Sequence, residues 1–564
     1  MPIPMRFDHP EIMETRVAVV GGGVSGIYSA WRLKLDGKGG DFNDVKVFEF
    51  GNRVGGRLET LHLDNLSERR AEVGGMRFIP DWQLHISSLI QHLRSREHPL
   101  DVIDFPMGDD RNLYYLRARR FEKEDFNVVA TRYDLKSSEI GVSPDDYFVS
   151  ILNALLADCG KQIKKETKDG AVTYIGLTRQ EWDEVKQDPR FRFGHKPVVE
   201  QGFWNILAEM LSPEAYQLVT DAGGYHTLTA NWNAAEAASF IGLDFIGAQY
   251  KTLKQGYDAH VAAMAQEFTK QGGEIWGHSE LIRFERVRQG HAEFARYAGK
   301  LKLTFQDRGR SEDTRTFIVY ADKLILAMPR HGLERLELFG TDFDFEHPEN
   351  RRQRKLLNSV MTMPAFKLFM GFERAWWADK HLSSGRSISD LPLRQTYYFG
   401  SDPSDGHALL MTSYNDAGTV SFWKGLKEPT QSARYISRNT VAMEDKTPDT
   451  HEATPAMLAH AKVQLAALHG LEPHEVPEPI ASAYKDWSDE PFGAGWYLWK
   501  PGVRTWKVMK EIRNPWPDVH VCGDCYSSLQ GWVEGALNTA ERMLEEHFGM
   551  ERPKWLDPRA YLGF

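Results

Sequence analysis

Apolar residues near the N-terminus come in short runs separated by glycines. Residues 17–20 form an apolar run typical of a buried strand, a glycine turn follows, and helical spacing extends from residue 25 to about residue 35. A second apolar run at residues 45–48 ends at Glu49. Together these elements predict a β-α-β unit of ordinary length.

The pattern of apolar positions changes further along the chain. Residues 123–250 have mostly helical periodicity, whereas residues 275–328 and 361–415 have the pattern of short strands. Residues 519–522 form one more apolar run, followed by a glycine and a helix predicted from about residue 532 to residue 547. Because strand, glycine and helix recur at the far end of the chain, we expect a nucleotide-binding domain made of separate segments.

The predicted fold class is therefore α/β, with a discontinuous Rossmann-like dinucleotide-binding domain, an α+β substrate-binding domain and a helical insertion. The expected boundaries are residues 1–63, 258–360 and 513–548 for the dinucleotide-binding domain, 64–122 and 361–512 for the substrate-binding domain, 123–257 for the insertion and 549–564 for a C-terminal tail. A chain of 564 residues is too long for one compact core, which agrees with several domains.

Composition and charge exclude several classes of protein. The net charge is -10 and no basic block occurs, so nucleic-acid binding has little support. The three cysteines, Cys159, Cys522 and Cys525, exclude a disulfide framework and favour a reducing compartment. Since the chain shows no apolar signal segment and no apolar run long enough to cross a bilayer, we expect a cytoplasmic protein without membrane contact.

The glycine turn matches a dinucleotide-binding fingerprint, G-x-G-x-x-G, at Gly21-Gly22-Gly23-Val24-Ser25-Gly26. Gly21 permits the tight turn, Gly23 lets the backbone approach a pyrophosphate, and Gly26 allows close packing of helix and strand. Glu49 follows 23 residues after Gly26. A carboxylate at that position accepts hydrogen bonds from ribose hydroxyls and repels a 2′-phosphate, so FAD or NAD is favoured over NADP.

Further motifs separate FAD from NAD by their order and spacing. They are Arg53-Val54-Gly55-Gly56-Arg57, Gly74-Gly75-Met76-Arg77, Gly523-Asp524 and Gly531-Trp532-Val533-Glu534-Gly535-Ala536. This set resembles the flavin-containing amine oxidase family, and most closely the L-amino acid oxidases, over nearly the whole chain. The resemblance implies non-covalent FAD, since no cysteine corresponds to the covalent attachment site of monoamine oxidases.

The resemblance also implies a set of cofactor contacts. Arg57 would bind the pyrophosphate, Leu281 would pair with adenine through its backbone, and Asp524, where many members have Glu, would contact phosphate and ribityl oxygens. The full expected set is Gly21, Gly23, Val24, Ser25, Gly26, Glu49, Phe50, Gly56, Arg57, Gly75, Met76, Arg77, Leu281, Trp487, Gly523, Asp524, Gly531, Trp532 and Val533. No metal is expected, because Cys522 and Cys525 have no second cysteine pair to complete a zinc site.

At the reacting end, the resemblance assigns roles to particular residues. Arg77 would bind the substrate carboxylate in a two-pronged way, and Tyr414 would share that carboxylate. Lys367 would hold a water beside flavin N5, while Gly531 and Trp532 would form the wall of the amine site. A structural salt bridge for Arg77, an edge position for Lys367 and an ordinary core position for Tyr414 stay open as alternatives.

Two acids fall where the family places residues of the side-chain pocket. Asp416 stands two residues after Tyr414, hence on the same face of a strand, and Asp244 lies in the insertion. An acid in an apolar pocket favours a cationic partner, so we predict a preference for L-arginine or L-lysine. Glu236 is a third candidate, and the alternative for these acids is a solvated loop position or a helix cap.

The predicted activity is FAD-dependent oxidation of an L-amino acid by O2 to a 2-oxo acid, ammonia and hydrogen peroxide, in a homo-oligomer (dimer or larger). A flavin monooxygenase that gives an amide, and a polyamine or monoamine oxidase, are the alternatives within the fold. A flavin-binding scaffold without activity is the alternative from another class.

Overall fold

The structure, a computed structural model, describes most of the chain. The described ranges are residues 3–36, 42–66, 68–108, 111–126, 132–168, 171–244, 248–288, 296–309, 315–427 and 452–564.

The first of two large sheets contains the predicted β-α-β unit and has eight strands among the described residues. Its strand order is Met5–Arg6, Glu274–Trp276, Val45–Phe48, Ile12–Val20, Thr316–Leu326, Leu301–Asp307 and Ser279–Arg286. Pairing is parallel as far as Thr316–Leu326 and antiparallel beyond it. The end of Thr316–Leu326 also pairs in parallel with Val519–Val521, so the two ends of the chain meet in one sheet, as the sequence predicts.

Side chains of the strand Ile12–Val20 alternate between two cores, which explains the continuous apolar run at its end. Val17 and Val19 pack towards a layer formed by the helices Val24–Asp36, Ala259–Lys270 and Val533–Phe548. Ala18 and Val20 face a second core on the opposite side of the sheet. The helix predicted for residues 25 to 35 is the helix Val24–Asp36.

The second sheet has seven strands within the described ranges. Its order is Ala481–Asp486, Ala365–Phe372, Ala408–Asp416, Gln395–Ser401, Gly385–Ser389, Leu113–Leu116 and Arg119–Glu122. One face packs against the helix Pro455–His469 through residues such as Phe366 and Leu368. Lys367 lies between these two residues and therefore belongs to the opposite face, together with its register partners Tyr414 and Lys485.

Helices dominate the region for which helical periodicity was predicted. They are Pro144–Leu156, Arg179–Gln187, Phe203–Met210, Pro213–Ala222 and Ala234–Asp244. Two hairpins that the apolar pattern did not predict interrupt them: Lys164–Lys168 with Ala171–Ile175, and Arg192–Phe193 with Lys196–Pro197. The domain boundaries themselves stay predictions.

Shorter elements connect the two sheets. The helices are Leu84–Ser95, Arg330–Glu334, Arg351–Leu357, Val420–Lys424 and Thr505–Ile512. The strand pairs are Thr60–Leu61 with Ala71–Glu72, Val102–Asp104 with Lys251–Leu253, and Val360–Met363 with Trp496–Trp499. No helix in the described ranges is long and apolar enough to cross a membrane.

Candidate functional site

Glycine is required at two positions of the first turn. Gly21 has a φ of +109°, and a methyl group there would lie 2.5 Å from the carbonyl oxygen of Ala327. A methyl group at Gly26 would collide with the carbonyl oxygen of Gly21. The turn leads into the helix Val24–Asp36, whose first N–H groups, including that of Ser25, have no acceptor within the helix and are suited to bind an anion.

The acid that ends the second strand lies against this turn. Glu49 Oε2 accepts a hydrogen bond of 2.5 Å from Gly22 N. Its carbonyl accepts from Ser279 N at 2.8 Å, which brings the strand with the buried Leu281 beside Glu49. Phe50, the next residue, lies under the guanidinium of Arg308 at 4.7 Å. The strand that contains Leu281 therefore begins beside Glu49, so the residues expected to contact adenine and ribose lie close together although their strands are not neighbours in the sheet.

A second glycine pair faces the first. Gly55 N donates to Gly22 O at 2.9 Å, and a methyl group at Gly56, whose φ is +59°, would lie 3.1 Å from the Cα of Gly23. Arg57 follows and donates to the carbonyl of Gly495 at 3.0 Å. The backbones of residues 21–26 and 55–56 thus lie against each other, with the guanidinium of Arg57 beside them. We call these residues the cradle.

The C-terminal motif completes this cradle. Asp524 forms an ion pair with Arg57, and its Oδ2 accepts from Gly531 N at 3.0 Å. Gly523 has a φ of +140°, which lets the chain turn from the strand Val519–Val521 to this position. The helix Val533–Phe548 begins directly after Trp532 and adds a second helix N-terminus. The backbone N–H groups and the guanidinium of Arg57 suit the diphosphate of FAD, and the carboxylate of Glu49 suits its ribose.

The segment of residues 72–77 joins the cradle to the second sheet. Gly75 N donates to the carbonyl of Arg57 at 3.0 Å. The indole of Trp487 donates to the carbonyl of Val73 at 2.7 Å, so the end of the strand Ala481–Asp486 is tied to the same segment. The cofactor and substrate sides are therefore in direct contact through a few backbone groups.

Lys367 is buried and points from the second sheet into this segment. Its Nζ donates to the carbonyls of Glu72 at 2.9 Å and Gly74 at 2.5 Å, and contacts Met76 Sδ at 3.3 Å. The edge alternative is excluded, because the side chain is 2% exposed. Burial lowers the pKa of Lys367 to about 7; Glu72 opposes this shift and Arg77 adds to it. An ammonium with so low a pKa can hold or release a proton near neutral pH.

Arg77 is buried among aromatic rings. Its guanidinium carbon lies 4.1 Å from the ring centre of Tyr250 and 5.3 Å from that of Phe105, and NH1 donates to Tyr397 Oη at 3.3 Å and contacts Met107 Sδ at 2.7 Å. Burial alone would lower the pKa of Arg77, but neighbouring phenols, Tyr397 first, raise it by a larger amount. The net pKa lies above the ordinary value, so the group stays charged. It forms no ion pair within the described part of the chain, which argues against the salt-bridge alternative.

Tyr414 lies beside both cations. Its ring centre is 4.5 Å from Lys367 Nζ, and the two residues face each other across neighbouring strands. The ring of Tyr225 meets that of Tyr414 edge-on at 5.2 Å. The hydroxyl of Tyr225 is also hydrogen-bonded to the phenols of Tyr397 and Tyr414. In the described ranges Arg77 thus hydrogen-bonds to a phenol rather than to an acid.

Trp532 forms another side of the site around Arg77. Its indole stacks on Tyr250 at 6.4 Å with an interplanar angle of 9°. Asp244 is buried next to them, and its Oδ1 accepts from the hydroxyl of Tyr250 at 3.0 Å. Burial raises the pKa of Asp244 to about 7, opposed first by the charge of Arg77. At Gly531, a methyl group would have an ordinary 3.4 Å contact with Trp496 Cβ, so the φ of +80° rather than lack of space favours glycine at this position.

The other two acids have structural contacts that favour the cap or core alternative over a pocket role. Both oxygens of Asp416 accept hydrogen bonds from the turn that contains His226 and Thr227. Asp416 ends its strand, so its side chain meets this turn rather than following Tyr414 into the site. Glu236 pairs with the buried Lys186 at 2.8 Å inside the insertion.

Sequence reasoning missed several residues around Arg77. They are Tyr225, Tyr250, Tyr397, Gln395 and Arg386. Gln395 Oε1 accepts from Tyr397 Oη at 3.1 Å and from Arg386 NH1 at 2.9 Å, so a polar chain extends from Arg77 to a second arginine. Two sequence features mark this region, the Tyr397-Tyr398 pair and the two glycines before Tyr225. Neither feature shows that these tyrosines lie near Arg77.

Comparison with known proteins assigns the chain to a family. The family model described as flavin containing amine oxidoreductase matches residues 24–543. The chain therefore belongs to this family, and its cofactor is FAD. The resemblance, the α/β fold class and the cofactor predicted from the sequence are confirmed.

Named relatives cover nearly the whole chain at low identity. Aplysianin-A of Aplysia kurodai is 26% identical over 95% of this chain and 91% of its own length. Achacin of Lissachatina fulica is 25% identical over 94% of this chain and 93% of its own, and an L-amino-acid oxidase of Mus musculus is 22% identical over 93% and 70%. The solved structure of wild-type putrescine oxidase bound to putrescine aligns with a TM-score of 0.63 at 17% identity, over 95% of this chain and all of the other. That likeness concerns the fold alone.

Proposed function

We propose that this protein is an FAD-dependent L-amino acid oxidase. The observation that carries the proposal is Arg77, a buried guanidinium that forms no ion pair in the described ranges. Phenol hydroxyls surround it, and the nearby Asp244 acts on it through charge without a direct contact. A buried charge requires compensation, and a carboxylate supplied by the substrate would provide it in two-pronged geometry. The products would be a 2-oxo acid, ammonia and hydrogen peroxide.

The residues of this chain would position the substrate rather than react with it. Arg77 and Tyr414 hold the carboxylate, while Trp532 and Gly531 form the wall beside the amine. FAD, when bound, would supply the redox chemistry, which is acceptance of a hydride from Cα and transfer of the electrons to O2. With the carboxylate held by Arg77 and the amine placed against Trp532, only the L form directs its Cα hydrogen towards the cofactor. Lys367 would hold a proton close to the reacting atoms.

A polyamine oxidase is the second candidate, because putrescine oxidase shares the fold. Putrescine has no carboxylate, so it would leave Arg77 uncompensated. A monooxygenase that gives an amide would use the same substrate contacts. Measuring the products separates the two enzymes that act on amino acids: an oxidase forms ammonia, 2-oxo acid and peroxide in equal amounts, whereas a monooxygenase forms amide and carbon dioxide. Peroxide formed from putrescine but not from L-amino acids would identify the polyamine oxidase.

For the side-chain pocket we propose Asp244 as the determinant of a preference for L-arginine or L-lysine. Its carboxyl is buried beside Trp532, and Tyr250 orients it. Since its pKa is raised to about 7, the charged form, and with it the preference for arginine over leucine, should increase between pH 6 and pH 8.

The variant Asp244→Asn tests this preference. It should lower the arginine-to-leucine ratio of kcat/KM about tenfold, while Asp188→Asn, on the surface of the insertion, should leave the ratio unchanged. Equal rates for arginine and leucine in the unmodified enzyme would contradict the preference but not the oxidase activity.

A further inference from the structure

A short strap, residues 223–229, leads from the helical insertion into the substrate site. It leaves the helix Pro213–Ala222 through Gly223 and Gly224, whose φ is +85°. A methyl group at Gly224 would lie 3.1 Å from Gln395 Cδ, so the strap passes directly over the side chain that joins Tyr397 to Arg386. The glycines therefore allow an approach that other residues would block.

Asp416 fixes the strap to the second sheet. Its Oδ1 accepts from His226 N at 2.9 Å, and its Oδ2 accepts from Thr227 N at 2.8 Å and Thr227 Oγ1 at 2.6 Å. The indole of Trp232 donates to the carbonyl of Thr227 at 3.1 Å. The carboxylate is fully buried, and charge-assisted bonds of this kind hold a turn in one conformation.

This anchoring determines the position of Tyr225, which directly precedes the bonded residues. The ring of Tyr225 is edge-on to Tyr414 at 5.2 Å and to Trp496 at 6.5 Å. Its hydroxyl meets the phenols of Tyr397 and Tyr414, the first of which accepts from Arg77. Tyr225, a residue of the insertion, thus places its hydroxyl among the phenols that lie beside the guanidinium of Arg77.

We propose that Tyr225 is a further residue that binds the substrate carboxylate, and that Asp416 positions it by anchoring the strap. The inference rests on the proposed function and extends it: three groups from three parts of the chain, Arg77, Tyr414 and Tyr225, share one carboxylate. When a carboxylate enters, the hydroxyl of Tyr225 donates to one of its oxygens instead of to a neighbouring phenol. No covalent bond changes in this exchange.

The test measures carboxylate binding without turnover. Benzoate is titrated into the FAD-loaded enzyme and its Tyr225→Phe variant by calorimetry; loss of one hydrogen bond to a charged group should weaken binding about tenfold. Tyr147→Phe is the matched control, because this buried tyrosine of the insertion also loses one hydrogen bond, to the carbonyl of Glu139. Equal affinity in the unmodified enzyme and Tyr225→Phe would overturn the inference.

A double-mutant cycle tests the role of Asp416. Asp416→Asn alone should weaken benzoate binding, but it should add little in the Tyr225→Phe background, since its effect passes through that hydroxyl. Additive losses would show that Asp416 affects binding independently of Tyr225, and unchanged binding in Asp416→Asn would show that it acts only on stability; either result would overturn its positioning role. If the enzyme binds benzoate but no L-amino acid reduces its flavin, the proposed function fails while the carboxylate site stands. If it does not bind benzoate, both fail.

Discussion

The two ends of the site are built in different ways. At the cofactor end, the backbones of Gly21, Gly26 and Gly56 determine the shape, because side chains at these positions would collide or adopt an unfavourable φ. At the substrate end, side chains determine the shape: Arg77 reaches Tyr397, which is 320 residues away in the sequence. The first region therefore depends on steric exclusion over a few residues, and the second depends on strand register over hundreds.

This difference determines how each region tolerates substitution. A glycine in contact with backbone has no smaller substitute, so its replacement affects the whole cradle. A substrate-side residue shares its task with neighbours, so its replacement affects affinity more than assembly. The following changes test this contrast, beginning with the largest expected effect.

Gly26→Ala should give a protein nearly free of flavin. The added methyl group would collide with the carbonyl of Gly21 and move the start of the helix Val24–Asp36 away from the pyrophosphate site. The measurement is flavin absorbance per protein after purification. Gly425→Ala is the control, since its methyl group would have an ordinary 3.5 Å contact with Phe422 O. Full flavin content in Gly26→Ala would contradict the steric account.

Arg77→Lys should retain FAD but lower kcat/KM for L-amino acids about 100-fold, because an ammonium cannot form the two-pronged bond to a carboxylate. Steady-state kinetics give the ratio, and the flavin spectrum shows that the cofactor is bound. Arg374→Lys, at an exposed ion pair with Asp379, is the matched control. A loss of less than threefold in Arg77→Lys would contradict the assigned role.

Lys367→Met should change the pH dependence of stability. The pKa of Lys367 is lowered from 10.5 to about 7, so the folded state disfavours the charged ammonium. This penalty is complete below pH 7 and disappears as pH rises from about 7 to about 10. The variant should therefore be more stable relative to the unmodified enzyme at pH 6 than at pH 10.

Urea unfolding at both pH values measures this difference in the free energy of unfolding. Lys510→Met, on an exposed face of the helix Thr505–Ile512, provides the control. A difference between Lys367→Met and the unmodified enzyme that is independent of pH would contradict the shifted pKa.

Glu236→Gln should have the smallest effect on the site. It breaks the buried pair with Lys186 and should destabilise the protein by about 3 kcal/mol, but it should leave the arginine-to-leucine ratio unchanged. Thermal unfolding and substrate kinetics measure the two effects separately. A changed ratio would return Glu236 to the side-chain pocket.

The amount of information that the sequence carries differs between the two ends of the site for one physical reason, the distance along the chain between the residues that must meet. G-x-G-x-x-G and the following strand are local, and local sterics make them readable without knowledge of the fold. Arg77, Tyr414 and Lys367 came from a resemblance, and the structure places them next to one another.

The rest depended on non-local geometry. Asp416 was predicted to share the face of Tyr414 by strand alternation, but its strand ends there and its carboxylate meets the turn at His226 instead. Tyr225 lies in the insertion, and its approach to Tyr414 is set by the strap rather than by any periodic pattern. No sequence rule connects such residues before the sheets and the insertion are assembled.

The most direct test of the central claim, that a carboxylate completes the site around Arg77, is anaerobic reduction of the flavin by matched substrates. The enzyme is mixed without oxygen with L-arginine, L-leucine, D-arginine and agmatine, the amine that differs from arginine only by loss of the carboxylate, and the visible spectrum is recorded. The account predicts that the flavin band bleaches with the L-amino acids and persists with D-arginine and agmatine. Bleaching by agmatine as fast as by any L-amino acid would contradict it.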